Sequence, residues 1–189
     1  MAERRLFLAV PLTDIAKRTL AEVQAKIIPL FGRRGRTRSE SMHLTVKFLG
    51  SVPDSHVTRL ATVVRESVQC IPPFQLKLDQ VTGFGKSDAP RIVAVSLTPV
   101  ESIRFLAEQV DKACAALGFQ RETRSFSPHV TIYRPKNPGK IENQLCPEAE
   151  IPVQELILYQ SELKPDGAVY HALESFPLSG IDGKGNGNS

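Results

Sequence analysis

Two tripeptides in this sequence can do acid–base chemistry as a pair: His43-Leu44-Thr45 and His129-Val130-Thr131. Each opens an apolar run of strand type, His43 to Gly50 and Pro128 to Arg134. Strand residues alternate between two faces. Strict alternation puts His43, Thr45 and Lys47 on one face, with Leu44, Val46 and Phe48 behind them. It also puts His129, Thr131 and Tyr133 together, opposite Val130 and Ile132, and turns Arg134 away from His129. An imidazole and a hydroxyl two residues apart on a strand lie about 6–7 Å from one another. Two such pairs across a cleft suit in-line attack at phosphorus. One histidine, neutral, takes a proton from water, and the other, charged, gives one to the leaving oxygen; an unperturbed pKa of about 6.5 serves both roles. The threonine hydroxyls can bind the non-bridging oxygens, where charge grows in the transition state. One His-x-Thr alone carries little weight, and the second copy is what makes the reading.

The elements that must position these residues are written twice. Arg5 to Val10 and Arg91 to Ser96 read as buried strands. A helix follows each, roughly Asp14 to Ile28 and Val100 to Leu117, with apolar residues at helical spacing. Thr13 and Thr98 are start signals, and Gly118 is a stop. From Arg5 to His43 and from Arg91 to His129 the distance is 38 residues in both halves. The fold class expected is α+β: a bilobal molecule of two pseudo-symmetric strand–helix–strand lobes, with antiparallel sheets around a central cleft. Residues 1–179 form this single bilobal domain.

Around that frame, Pro53-Asp54-Ser55 opens a helix to about Val68. Phe74 to Val81 reads as a half-buried strand, ended by a turn at Gly83-Phe84-Gly85. Pro135 to Pro152 reads as a loop. Val153 to Leu163 and Val169 to Leu178 read as a hairpin about Lys164-Pro165-Asp166-Gly167. The tail at 180–189 has too few apolar residues to fold and is expected to be disordered.

The composition is that of a soluble globular protein, 41 % hydrophobic and 23 % charged. No apolar run reaches the ~20 residues of a membrane helix. The N-terminus shows no signal-peptide pattern, so a cytoplasmic protein is expected, and a monomer. Cys70, Cys114 and Cys146 are dispersed and fit neither a disulfide framework nor zinc spacing, and Cys114 reads as core. No carboxylate cluster for a metal and no glycine-rich phosphate loop is found, so the expectation is no metal and no cofactor. The net charge of +4 is only mildly basic. Arg33, Arg34, Arg36 and Arg38, however, crowd together just before His43. They are either a solvated loop or, beside a cleft, a contact for a phosphate backbone.

The two motifs, His43-Leu44-Thr45-Val46 with Phe48-Leu49-Gly50 and His129-Val130-Thr131-Ile132 with Arg134, resemble the paired signatures of the two-histidine phosphoesterase superfamily. Arg5 to Ala9, Gly83-Phe84 before Pro90-Arg91, and Leu158 to Tyr170 make the chain most similar to its LigT-like branch, the RNA 2′,3′-cyclic phosphodiesterases or 2′–5′ RNA ligases. The resemblance implies hydrolysis of a terminal 2′,3′-cyclic phosphate to a 2′-phosphate without metal or nucleotide. The partner would be RNA with such an end, or a small cyclic nucleotide. His43 would be the general acid on the 3′ oxygen and His129 the base. Thr45, Thr131 and Arg134 would hold the phosphate, Arg134 only if the strand twists or ends there. Phe84 either stacks on a base or packs inside. His56 and His171, with no threonine two residues on, read as surface or structural. Joining RNA ends through a 2′–5′ bond is a third reading, within the same enzyme class. A module that binds RNA without turnover is the reading from another class.

Overall fold

In the computed structural model, which describes residues 2–86, 89–165 and 167–180, the duplicated frame is present. The first copy is β1 (Glu3–Val10), α1 (Asp14–Phe31) and β2 (Leu44–Pro53), with a 3-10 turn at Ser39–Ser41 before β2. The second is β4 (Ala89–Thr98), α3 (Glu101–Ala115) and β5 (His129–Tyr133). Between them lie α2 (Asp54–Val68) and β3 (Phe74–Lys86). After them come β6 (Gln144–Leu145), β7 (Glu150–Val153), β8 (Glu155–Lys164) and β9 (Gly167–Pro177). The proposed disorder of the tail concerns residues that, Gly180 apart, lie outside those described.

All strand pairs among the described residues are antiparallel, in the order β6-β3-β4-β5-β2-β1-β8-β9, with β7 on β3. The two halves meet at β2 and β5 through one rung, Leu44 opposite Val130. Each of these residues directly follows its histidine. Apolar stripes explain the core: Leu20, Val23 and Ile27 of α1, Leu60, Val64 and Val68 of α2, and Ile103, Leu106, Val110 and Cys114 of α3 are all buried with Leu44, Val46, Val130 and Ile132. The helices cover that face and leave the histidine face open.

Local signals held unevenly. The Thr13 hydroxyl accepts from the Ala16 N–H and starts α1. Thr98 starts nothing: α3 begins at Glu101, after Val100 and without a side-chain cap. The α1 helix runs past Pro29 to Phe31, because the burial of Phe31 against Tyr133, ring centroids 5.9 Å apart, outweighs the missing N–H. The expected turn at Gly83-Phe84-Gly85 is instead strand, and β3 runs to Lys86. Its glycines serve a register shift at Gly85, where φ is +114°, and a close approach at Gly83, where a Cβ would sit 2.7 Å from Ile141. The expected loop at 135–152 holds β6 and most of β7, short edge strands on β3, one of which carries Pro152.

Candidate active site

The lone rung between β2 and β5 fixes the site. Carried one residue either way, the antiparallel register at Leu44–Val130 sets His43 against Thr131 and Thr45 against His129. The four residues share the open face, each half-buried. The two imidazoles are diagonal neighbours, a relation that spaces backbones by about 7–8 Å, and strands that part after one rung widen it.

Both rings are aimed by the same device. The Nδ1 of His43 lies 2.8 Å from the Ser41 carbonyl, and the Nδ1 of His129 lies 2.8 Å from the Ser127 carbonyl. A neutral ring that donates from Nδ1 presents a bare Nε2 to the cleft, and a charged ring presents an N–H there. These anchors were not foreseen. Serine stands two residues before both histidines, at 41 and 127, but the acceptors are main-chain carbonyls that any residue supplies.

Strict alternation fails after each threonine, at equivalent places. In β2 the register jumps between Leu8–Lys47 and Ala9–Thr45, so Val46 is a bulge. In β5 it jumps between Val93–Tyr133 and Ala94–Thr131, so Ile132 is one. A bulge adds one residue and reverses the faces beyond it. Lys47 is therefore not beside His43 but buried, 3 % exposed, with its Nζ 2.7 Å from Asp111 of α3 and 2.9 Å from the Gln120 carbonyl. Phe48, expected inside, is 67 % exposed on the histidine side. Tyr133 is likewise buried rather than beside His129, and its hydroxyl donates to the Gly32 carbonyl. Arg134 is turned to the open face, close enough that its charge acts on His43. The twist on which its expected orientation depended is this bulge.

Aromatic rings wall the His43 side. Phe7 lies 4.8 Å from the His43 ring, Tyr170 meets it edge-on at 5.1 Å, and Tyr159 stacks at 6.3 Å. Burial among them, with Arg134 nearby, overcomes the Ser41 carbonyl and pulls the His43 pKa down to about 4. Phe84 lies 5.0 Å from the His129 ring. His56 and His171 are exposed, and His171 meets Glu162 at 3.1 Å. Cys114 is buried and its thiol is pushed up to about 11, so it is core, as expected.

The arginine-rich segment lies against β5. Arg36 pairs with Tyr133, the Thr37 N–H donates to the Ile132 carbonyl, and the Arg134 N–H donates to the Gly35 carbonyl. Its four arginines stand in two pairs. Arg36 and Arg38 line a hollow against Gln24, Ala25 and Ile28 of α1. The Arg38 guanidinium also donates to the Ala168 carbonyl. Arg33 and Arg34 stand with Lys136 at an open rim. Among the described residues, no group of three or more His, Cys, Asp or Glu is placed to hold a metal, and no helix is long and apolar enough to cross a membrane.

An antiparallel α+β frame that presents paired His-x-Thr strands about one central rung defines the class of two-histidine proteins. The chain belongs to the 2′-5′ RNA ligase superfamily, whose family model matches residues 7–164. A Thermus thermophilus protein named RNA 2′,3′-cyclic phosphodiesterase is 30 % identical over 188 residues, which cover 95 % of this chain and 93 % of that one. A Geobacillus stearothermophilus protein of the same name is 29 % identical over 191 residues. The match covers 97 % of this chain but only 60 % of that relative's length. The crystal structure of the Thermus thermophilus protein TT0787 superposes with a TM-score of 0.81 at 30 % identity, covering 92 % of this chain and 97 % of the other.

Proposed function

We propose that this protein is an RNA 2′,3′-cyclic phosphodiesterase that opens the terminal ring to a 2′-phosphate by two-histidine acid–base catalysis. The observation that carries the reading is the pair of carbonyl-anchored imidazoles, each set against the other strand's threonine about one rung. Thr45, Thr131 and Arg134 bind the non-bridging oxygens. His129, neutral, takes a proton from water as its oxygen attacks phosphorus. His43 gives a proton to O3′ as that bond breaks. The symmetric anchors serve either assignment, and the resemblance gives His43 the acid's part. In the free protein burial and Arg134 keep His43 neutral. The arriving phosphate offsets Arg134 and draws a proton onto His43. The two imidazoles complete the proton transfers between them, so no metal is needed. The joining of RNA ends through a 2′–5′ bond would use the same ring opening with a 5′-hydroxyl in place of water: its oxygen bonds to phosphorus, His129 takes its proton, and O3′ leaves with the proton from His43.

The test is turnover of a nucleoside 2′,3′-cyclic phosphate, in EDTA and without ATP. His43→Ala and His129→Ala should each cost about a hundredfold or more. A substrate with an activated aryl leaving group should rescue His43→Ala far more than His129→Ala. The opposite rescue exchanges the two roles, and full activity in either variant ends the two-histidine reading. RNA binding without turnover would leave the non-catalytic module.

A further inference from the structure

Resting on that reading, we propose that Arg33, Arg34 and Lys136 form a separate backbone site, which holds the phosphates of the RNA strand leading up to its cyclic end. Two chain segments converge there. Residues 31–35 leave the end of α1, and residues 136–139 leave the end of β5. Arg33, Arg34, Lys136 and Asn137 line an open cavity of about 570 Å³ with Phe31, Gly32 and Gly35. The convergence is built, not incidental. The Arg134 N–H donates to the Gly35 carbonyl at 2.7 Å, and Gly139 lies so close to Leu30 and Phe31 that a Cβ would come within 3.2 Å of the Leu30 carbonyl oxygen. Among the described residues, no acidic side chain lines the cavity. Arg33, Arg34 and Lys136 are exposed.

The position relative to the chemistry gives the site its ligand. Arg134, whose charge acts on His43, lies two residues before Lys136 and is hydrogen-bonded to the segment that bears Arg33 and Arg34. Two residues of chain span at most about 7 Å. That leaves the reacting phosphate to the histidines and brings the cations to the next phosphates of the same strand. Cations without base-reading partners hold a backbone irrespective of sequence. Arg36 and Arg38 are not part of the site, since the structure turns them towards α1 and β9.

The experiment compares kcat/KM for a nucleoside 2′,3′-cyclic phosphate with that for a short oligoribonucleotide carrying the same end, at several salt concentrations. The proteins are wild type, R33A/R34A/K136A and Arg36→Ala. Affinity for an oligoribonucleotide with a 3′-phosphate is measured in parallel by fluorescence anisotropy. The triple variant should keep the mononucleotide rate within about twofold, lose about tenfold or more on the oligonucleotide, and lower the log–log salt slope by up to about 2, at roughly 0.7 per charge removed. Arg36→Ala should leave both the ratio and the slope near wild type. An unchanged ratio and slope in the triple variant overturns the proposal. So does an equal effect from Arg36→Ala, which would mean net charge alone, or a collapse of the mononucleotide rate, which would place the three residues at the reacting phosphate. If wild type hydrolyses neither substrate, the phosphodiesterase reading fails, and the anisotropy measurement still decides whether the three cations bind RNA.

Discussion

His43 shows how one residue's surroundings set its chemistry. Its folded pKa of about 4 lies below the ordinary value near 6.5. The unfolded chain therefore binds more protons between those limits. The stability that neutral His43 allows is complete above about pH 6.5 and is lost as pH falls towards 4. Imidazole NMR of the free protein should find His43 still neutral at pH 5.5. Arg134→Gln should raise its pKa, yet leave it under 6.5, because burial is the larger cause. A His43 resonance titrating near 6.5 in wild type would contradict the buried, Arg134-facing geometry. The His-x-Thr repeats were legible because side-chain types carry them. The Ser41 and Ser127 anchors were not, since every residue has a carbonyl. Arg134's placement was hidden for another reason: a bulge changes which face a residue takes without changing any residue.

At the scale of elements, the bulge at Val46 ties the halves together. Lys47 reaches from β2 to Asp111 of α3, and Asp111 also accepts from Arg121 and from the Glu122 N–H. Burial pushes the Asp111 carboxyl up, but these partners together hold it below the usual carboxylate range. Lys47→Met should destabilise by about 3 kcal/mol, because it strands a desolvated carboxylate. The double variant Lys47→Met with Asp111→Leu should recover much of that loss in chemical denaturation. An additive double variant would show that the pair is not coupled. Gln24 of α1, 3 % exposed, donates to the Thr37 and Ile132 carbonyls and so clamps the arginine segment to β5. Gln24→Leu takes this donor from the part-buried Thr37 carbonyl, while the Ile132 carbonyl keeps the Thr37 N–H, and should cost about 1–2 kcal/mol, read as a lowered melting temperature. The helices and long strands were readable from apolar period. The strands β6 and β7 were not, since two and four residues beside prolines carry no period, and only their pairing with β3 makes them strands.

At the scale of the molecule, the internal repeat was the most legible feature, and the structure carries it to the bulges at Val46 and Ile132, 86 residues apart like the histidines. The sequence could not show where the copies join, because that depends on a single rung between residues far apart in the chain. Each bulge delivers its next-but-one residue to the open face, and there the copies differ: Phe48 on one side, Arg134 on the other. A cyclic phosphate has two ester oxygens on one phosphorus, and half a turn exchanges them. A frame with twofold symmetry would accept both poses and cut either bond. On the proposed reaction, the positional purity of the product rests on what differs between the two sides, and Phe48 against Arg134 is the difference that the paired bulges deliver. Phe48→Arg, which makes the two sides alike, should turn a single phosphomonoester isomer into a mixture of the 2′ and 3′ forms, resolved by phosphorus NMR. A product that stays pure would place the choice in the ribose contacts.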